Sequence, residues 1–202
     1  AVLAKSLATL DVLSNGRVDL GVGVGWQKEE YDACGLDFAN RGRLLDHTLE
    51  VCQTLWTQPS AHYSANELQF SDIHAMPKPL QNGGVPIWVS GTVNKLSMRR
   101  LATFGYGWIP WGPDAIDITS GIESMRKAVS AFGRDPDEIQ VIGTLPITRN
   151  DDGIDLDATM SNVPELVTAG VTDFRAYLPV PDGLDPATEY LTDVVKRFND
   201  CI

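Results

Sequence analysis

The sequence predicts an α/β fold built on a parallel sheet of about five strands. Three observations carry this expectation. Short β-rich segments alternate one for one with amphipathic helical segments along the chain. The strand segments "GVGVG", "PIWVSG" and "YGWIPW" are apolar on successive residues, as strands covered by helices on both faces must be. Clusters of Gly, Pro, Asn and Asp separate the segments and stop them.

Taken in order, residues 1–14 carry Leu3, Leu7, Leu10 and Leu13 at helical spacing, and "SNG" (14–16) ends that helix. "RVDLGVGVG" (17–25) reads as a strand. Asn40 is placed to cap a helix over 41–57 with the face Leu45, Leu49, Cys52, Leu55 and Trp56. Residues 58–85 are too polar and irregular for one element. "PIWVSG" (86–91) is a strand, "TVNKLSMRRLATFG" (92–105) a helix closed by Gly105, and "YGWIPW" (106–111) a strand. Ile118, Ile122, Met125, Val129 and Phe132 mark a helix over 114–132, followed by the turn "GRDPDE" (133–138). "IQVIGTLPIT" (139–148) is a strand whose end is made irregular by Pro146. A short helix over 163–170 ends at Gly170, a strand covers 171–179, and a last helix covers 186–199. No internal repeat, low-complexity segment or linker interrupts the pattern, so residues 1–202 read as a single domain.

Composition narrows the function. The chain has 202 residues, 43% hydrophobic and 21% charged, enough for a real core. A net charge of −11 repels phosphate backbones and anionic lipids, which argues against nucleic acid and membrane surfaces as partners. No apolar run approaches the ~20 residues of a bilayer span, and the start "AVLAKSLATL" lacks the pattern of a signal peptide. The cysteines Cys34, Cys52 and Cys201 are odd in number and lack metal spacing, as expected of reduced thiols in the cytoplasm. The three histidines have no ligand spacing, and no metal site is expected.

The stretch "GRVDLGVGVGW" (16–26) has three readings. Gly21, Gly23 and Gly25 give G-x-G-x-G, with the third glycine misplaced for a dinucleotide turn, and Asp46 sits within a helix where that motif needs an acid at a strand end. A packed strand in which glycine admits a neighbouring backbone is the second reading. In the third, glycines at the C-terminal end of a parallel strand leave room for a flat ring, with Trp26 as a wall.

The run "AKSLATLDVLSNGRVDLGVGVGW", then "EEYDACGLDFANRGRLLDHTLEVCQTLWT", "PKPLQ", "PIWVSGT", "GYGWIP" and "GRDPDEI", resembles the bacterial luciferase-like monooxygenase family, nearest to its branch using the deazaflavin coenzyme F420. The resemblance covers residues 1 to about 140 in order. It implies a TIM-barrel-like (β/α) fold holding F420, or alternatively FMN, at the C-terminal ends of the strands. It also implies that the first helix here precedes the fourth strand of the family barrel. A barrel of roughly 250 residues over eight units has about 31 per unit. On that count the chain lacks the first three βα units and forms an incomplete barrel, with catalytic residues expected among the missing units and none assigned here. Such a sheet leaves edges open, and the family commonly forms dimers, so a homo-oligomer is expected.

The resemblance places the cofactor phosphate at the turn "VSGT", with Ser90, Gly91 and Thr92 carried over residue by residue and Gly25 and Trp26 beside the ring. A helix start near Thr92 would offer free N–H groups to an anion, and Lys95, Arg99 and Arg100 follow at helical spacing. The residues alone favour an ordinary Thr92 cap and a solvated cationic face. Val93 or Asn94 stands where the family has a later hydroxyl. Val24 stands where FMN-using members commonly have arginine, which favours the deazaflavin. Trp108 is a second candidate ring wall, and Glu29, Glu30 and Asp32 read as a solvated helix start. The expected function is a flavin- or F420-dependent oxidoreductase or monooxygenase acting on a small organic substrate. The alternatives are a shortened, non-catalytic homologue that binds flavin weakly or not at all, and a Rossmann dehydrogenase.

Overall fold

The computed structural model describes residues 1–66, 68–151 and 153–202. The chain divides into two compact units, one of Ala1–Ser90 with Asn94–Gly107, the other of Gly91–Val93 with Trp108–Ile202.

In the first unit, α1 (Val2–Leu13) leads to β1 (Leu20–Val22), then α2 (Lys28–Ala33) and α3 (Arg41–Thr57). The hairpin β2 (Ala61–Ser64) and β3 (Gln69–Ile73) follows, then β4 (Ile87–Gly91) and α4 (Lys95–Phe104). Strands β1 and β4 are parallel, with Leu20 opposite Ile87 and Val22 opposite Val89. Leu49, Cys52, Leu55 and Trp56 of α3 are buried as the sequence pattern requires, together with Ile87, Val89, Met98 and Leu101. Burial pushes the Cys52 thiol up to about 11.

The buried face of α1 is not the leucine stripe. Ala4, Ala8 and Asp11 turn inward, while Leu3, Leu10 and Leu13 are exposed. The alanines let the helix approach α3 closely enough for the Trp56 indole N–H to donate to the Ala4 carbonyl at 2.9 Å. Asp11 is fully buried. It accepts from the backbone N–H of Leu80 at 2.8 Å and of Gln81 at 3.2 Å, and from the Gln81 side-chain amide at 2.8 Å.

The second unit begins with β5 (Gly107–Pro110), whose first residue belongs to the first. It continues through α5 (Pro113–Ile116), α6 (Ile118–Ser130), β6 (Gln140–Thr144) and the small hairpin β7 (Arg149–Asn150) and β8 (Gly153–Ile154). The remaining elements are α7 (Leu156–Met160), α8 (Val163–Ala169), β9 (Asp173–Arg175) and α9 (Leu184–Asn199). Strands β6 and β9 are parallel, with Ile142 opposite Asp173. Ile122, Met125 and Val129 of α6 are buried as expected, but Phe132 lies outside the helix and is partly exposed. Leu145, Met160 and Val163 form a second cluster against Phe174 and Phe198.

The five strands β1, β4, β5, β6 and β9 form one sheet in the order β1-β4-β5-β6-β9, the parallel α/β arrangement read from the sequence. The departures are local. The expected helix over 114–132 breaks at Asp117, whose carboxylate accepts from the Ser120 N–H and caps α6 afresh. The strand expected over 139–148 stops at Thr144, two residues before Pro146, which has no N–H to give a ladder. The excursion over 58–85 contains the β2–β3 hairpin. Gly105 closes α4 as expected, with φ −75° and its N–H bonded to the Leu101 carbonyl. Its missing side chain matters because a Cβ there would stand 2.5 Å from Leu101 Cδ1.

Candidate functional site

The glycine stretch runs past the end of β1 as an open edge. Gly21 lies opposite Trp88 in the ladder, and Gly23 comes next to Ser90. A Cβ on Gly23 would meet only the Ser90 Cβ, at 3.8 Å, an ordinary contact. Close backbone packing is therefore not the reason for glycine at 23. Glycines that do serve close approach lie elsewhere, as at Gly107, where a Cβ would fall 2.3 Å from the Trp88 ring. Gly25 adopts φ +69°, a conformation that turns the chain away from the strand. The Tyr31 hydroxyl donates to the Val24 carbonyl at 2.6 Å and holds this turn in place. Trp26 follows with 84% of its surface exposed.

The turn after β4 differs from the expectation. The helix begins at Lys95 instead of near Thr92, and its cap is Asn94. The Asn94 side-chain oxygen accepts from the N–H of Leu96 at 3.1 Å and of Ser97 at 3.0 Å. The Val93 N–H donates to the Asp114 carboxylate at 2.7 Å. Three of the backbone donors around the helix start thus already have acceptors, one of them a carboxylate. Ser90 is half-buried at the end of the first unit's strand; Gly91 and Thr92 are half-buried and belong to the second unit. Trp108 is fully buried, and its indole N–H donates to the Gly91 carbonyl at 2.9 Å. It anchors the turn and cannot wall a pocket.

The cations expected beside that turn have a different partner. Arg99 Nη2 reaches Asp46 Oδ2 at 2.7 Å, and Arg100 Nε reaches Asp46 Oδ1 at 2.5 Å, so one carboxylate of α3 holds two guanidinium groups of α4. Arg100 is buried and also donates to the Gly42 carbonyl at 3.0 Å. These residues line a cleft of about 400 Å³ that also takes in Val24, Arg41 and Arg43. Sequence reasoning missed this cleft. The signals were the basic cluster Arg99 and Arg100, read there with the turn after β4, and "RGR" at 41–43, more than fifty residues away in sequence. Glu29 and Glu30 occupy the exposed first turn of α2, where acids favour the helix dipole.

A profile of luciferase-like monooxygenases matches residues 1–171. The chain belongs to the luciferase-like monooxygenase family. An uncharacterised protein of Mycobacterium tuberculosis (strain H37Rv) is 37% identical over 133 residues, which are 66% of this chain and 46% of that protein. The chain thus spans about half the length of the curated relatives it matches. Among solved structures, the monooxygenase RslO1 from Streptomyces bottropensis superposes with a TM-score of 0.71 at 18% identity, over 99% of this chain and 72% of that one. An F420-dependent secondary alcohol dehydrogenase in complex with an F420–acetone adduct gives a TM-score of 0.59 at 17% identity, over 99% and 66%. Among its relatives, a dimethylsulfone monooxygenase of Pseudomonas putida is FMNH2-dependent, and the alcohol dehydrogenase above is F420-dependent. Among the described residues, no helix is long and apolar enough to cross a membrane.

The residues present fit such a cofactor unevenly. The Gly23 edge leaves open backbone that any side chain would cover, as a flat ring requires. The segment after the phosphate turn is less open, because Asp114 already takes the Val93 N–H and Asn94 those of Leu96 and Ser97.

Proposed function

We propose that this chain binds F420, with FMN as the alternative, as part of a cytoplasmic oxidoreductase or monooxygenase acting on a small organic substrate. The observation that carries the reading is the open glycine edge at Gly23–Gly25, ahead of the exposed Trp26, in a member of this family. The bound cofactor supplies the hydride transfer or oxygen activation, and the protein supplies orientation and electrostatics. In this reading Gly25 and Trp26 border the ring, and Ser90, Gly91 and Thr92 flank the phosphate. Val24 offers no guanidinium to an FMN phosphate, which favours the deazaflavin.

Titration with F420 and with FMN, followed by cofactor fluorescence, tests it. The wild type binds F420 more tightly than FMN. Gly23→Val binds at least ~10-fold more weakly with an unchanged melting temperature, because the new side chain covers the ring's seat without a clash in the fold. Thr92→Ala also weakens binding. A wild type that binds neither cofactor, or a Gly23→Val variant that binds as well as the wild type, overturns the reading and leaves the non-catalytic homologue in its place.

We further propose that the chain self-associates. Strand β1 stands at the end of the strand order, so one of its edges carries unpaired backbone groups. On α1, Leu3, Leu10 and Leu13 present apolar surface to water. Light scattering behind a sizing column at low micromolar concentration gives a mass at least twice 22.0 kDa. A clean monomer refutes this proposal.

A further inference from the structure

We infer, building on the cofactor reading above, that Trp88 is a ligand-binding residue. Its indole N–H donates to a ring carbonyl or ring nitrogen of a flat heteroaromatic ligand seated on the glycine face of β1. Buried indoles in this chain otherwise have partners. Trp56 and Trp88 are 5% exposed and Trp108 is fully buried. The Trp56 N–H donates to the Ala4 carbonyl and the Trp108 N–H to the Gly91 carbonyl, each at 2.9 Å. The Trp88 N–H is buried and has no hydrogen-bond partner among the described residues. An indole carries one donor and no acceptor, so no other polar atom of the ring offsets this. A buried donor without a partner costs free energy, and an acceptor brought by a ligand recovers it.

The register puts this donor beside bare backbone. Trp88 stands opposite Gly21 in the parallel ladder, and a Cβ on Gly23 would meet the Ser90 Cβ. Side chains alternate along a strand, so Gly21, Gly23, Trp88 and Ser90 share one face of the sheet. Ile87 and Val89, both buried, take the other face. On the shared face the glycine stretch supplies only Gly21 and Gly23, both exposed, where a strand ordinarily sets side chains against its neighbour. The ring leans the other way. A Cβ on Gly107 would fall 2.3 Å from Cε3 and 2.4 Å from Cζ3, so the benzo edge lies over Gly107. Nε1 sits on the opposite edge of the indole, turned away from Gly107. The neighbour of β4 on its other side is β1. Tyr106, 46% exposed, stands edge-on to the Trp88 ring at 5.7 Å and is the surface cover that a ligand displaces. All these residues belong to the first unit. A donor already shielded from bulk water holds an acceptor more strongly than one facing solvent.

The indole proton itself reports the contact. In 15N-labelled protein the five indole N–H resonances are followed by NMR, and that of Trp88 is assigned by its loss in Trp88→Phe. F420, FMN and lumiflavin, a flavin ring without a phosphate, are added in turn. The Trp88 resonance is expected to move downfield and its proton to exchange more slowly, while those of Trp56 and Trp108 stay in place. Fluorescence titration is expected to show about tenfold weaker binding in Trp88→Phe, the loss of one hydrogen bond in a water-poor site. Trp88→benzothienylalanine keeps the two-ring shape and lacks the N–H, and the same loss is expected there. Full binding by this isostere would mean that the ring acts by packing alone, and overturns the inference. F420 or FMN binding that leaves the Trp88 resonance unmoved also overturns it and spares the cofactor reading. Lumiflavin moving the Trp88 resonance while neither F420 nor FMN binds does the reverse. A Trp88 resonance unmoved by all three ligands overturns the inference whatever else binds.

Discussion

Asp11→Ala is expected to destabilise the protein by about 3–5 kcal/mol, near the upper end for a single substitution. The carboxylate is fully buried and joins α1 to the segment before β4 through Leu80 and Gln81. Removing it takes the carboxylate acceptor from the backbone N–H groups of Leu80, Gln81 and Val18 and leaves the Gln81 amide only its bond to the Val18 carbonyl. Burial by itself raises the Asp11 pKa, but the hydrogen bonds from Gln81, Leu80 and Val18 outweigh it and hold the carboxyl below its ordinary value. A carboxyl depressed on folding contributes stability above its unfolded pKa, and that stability is lost as the pH falls through the folded value. The wild type therefore loses stability on acidification below about pH 4, where unfolded aspartates take up protons. Asp11→Asn is expected to be less stable at neutral pH and to show a flatter dependence in that acid range. Urea melts at pH 7 and at stepwise lower pH check both. An Asp11→Ala melt within 1 kcal/mol of wild type would show that the network is dispensable.

Gly107→Ala is expected to cost about 3 kcal/mol, a large effect for one methyl group. The added Cβ would fall 2.3 Å from Trp88 Cε3 and 2.4 Å from Cζ3, far inside van der Waals contact. Trp88 has little freedom to yield. It is 5% exposed, and Tyr106 stands edge-on to its ring at 5.7 Å. Gly23→Ala is the matched control, with its nearest contact at 3.8 Å and an expected loss close to that of an exposed site. Differential scanning calorimetry of the pair checks the contrast, and equal melting temperatures would refute it.

Much of the architecture was legible from periodicity. The α3 and α6 faces and the apolar runs of β4 and β5 are set by burial on one stripe or on both faces of a strand, and the sequence records that directly. Where legibility failed, the cause was a partner distant in sequence or a competing local bond. The leucines of α1 suggested its inner face, but close approach to α3 selects the small residues Ala4 and Ala8. Thr92 and Asn94 are both competent caps, and the choice of Asn94 goes with its bonds to Leu96 and Ser97, while Asp114 takes the Val93 N–H. At the site, the glycine edge was readable because an absent side chain shows in the sequence itself. The pairing of Asp46 with Arg99 and Arg100 spans fifty-three and fifty-four positions, and no local pattern announces it. Trp108 looked like a ring wall because its composition suits one, yet its N–H serves the Gly91 carbonyl inside the core.

The two kinds of glycine in the first unit respond to different selective pressures. At Gly107 any larger residue collides with Trp88, so purifying selection acts there on every descendant that still folds, whatever it does. At Gly23 a side chain meets no obstacle in the fold, so under the proposed cofactor reading it is the ring's seat, and not packing, that requires glycine there. A lineage that gave up its ligand would accumulate substitutions at 23 while 107 stayed fixed. Comparing drift at these two positions among descendants dates the loss of binding separately from any loss of the fold.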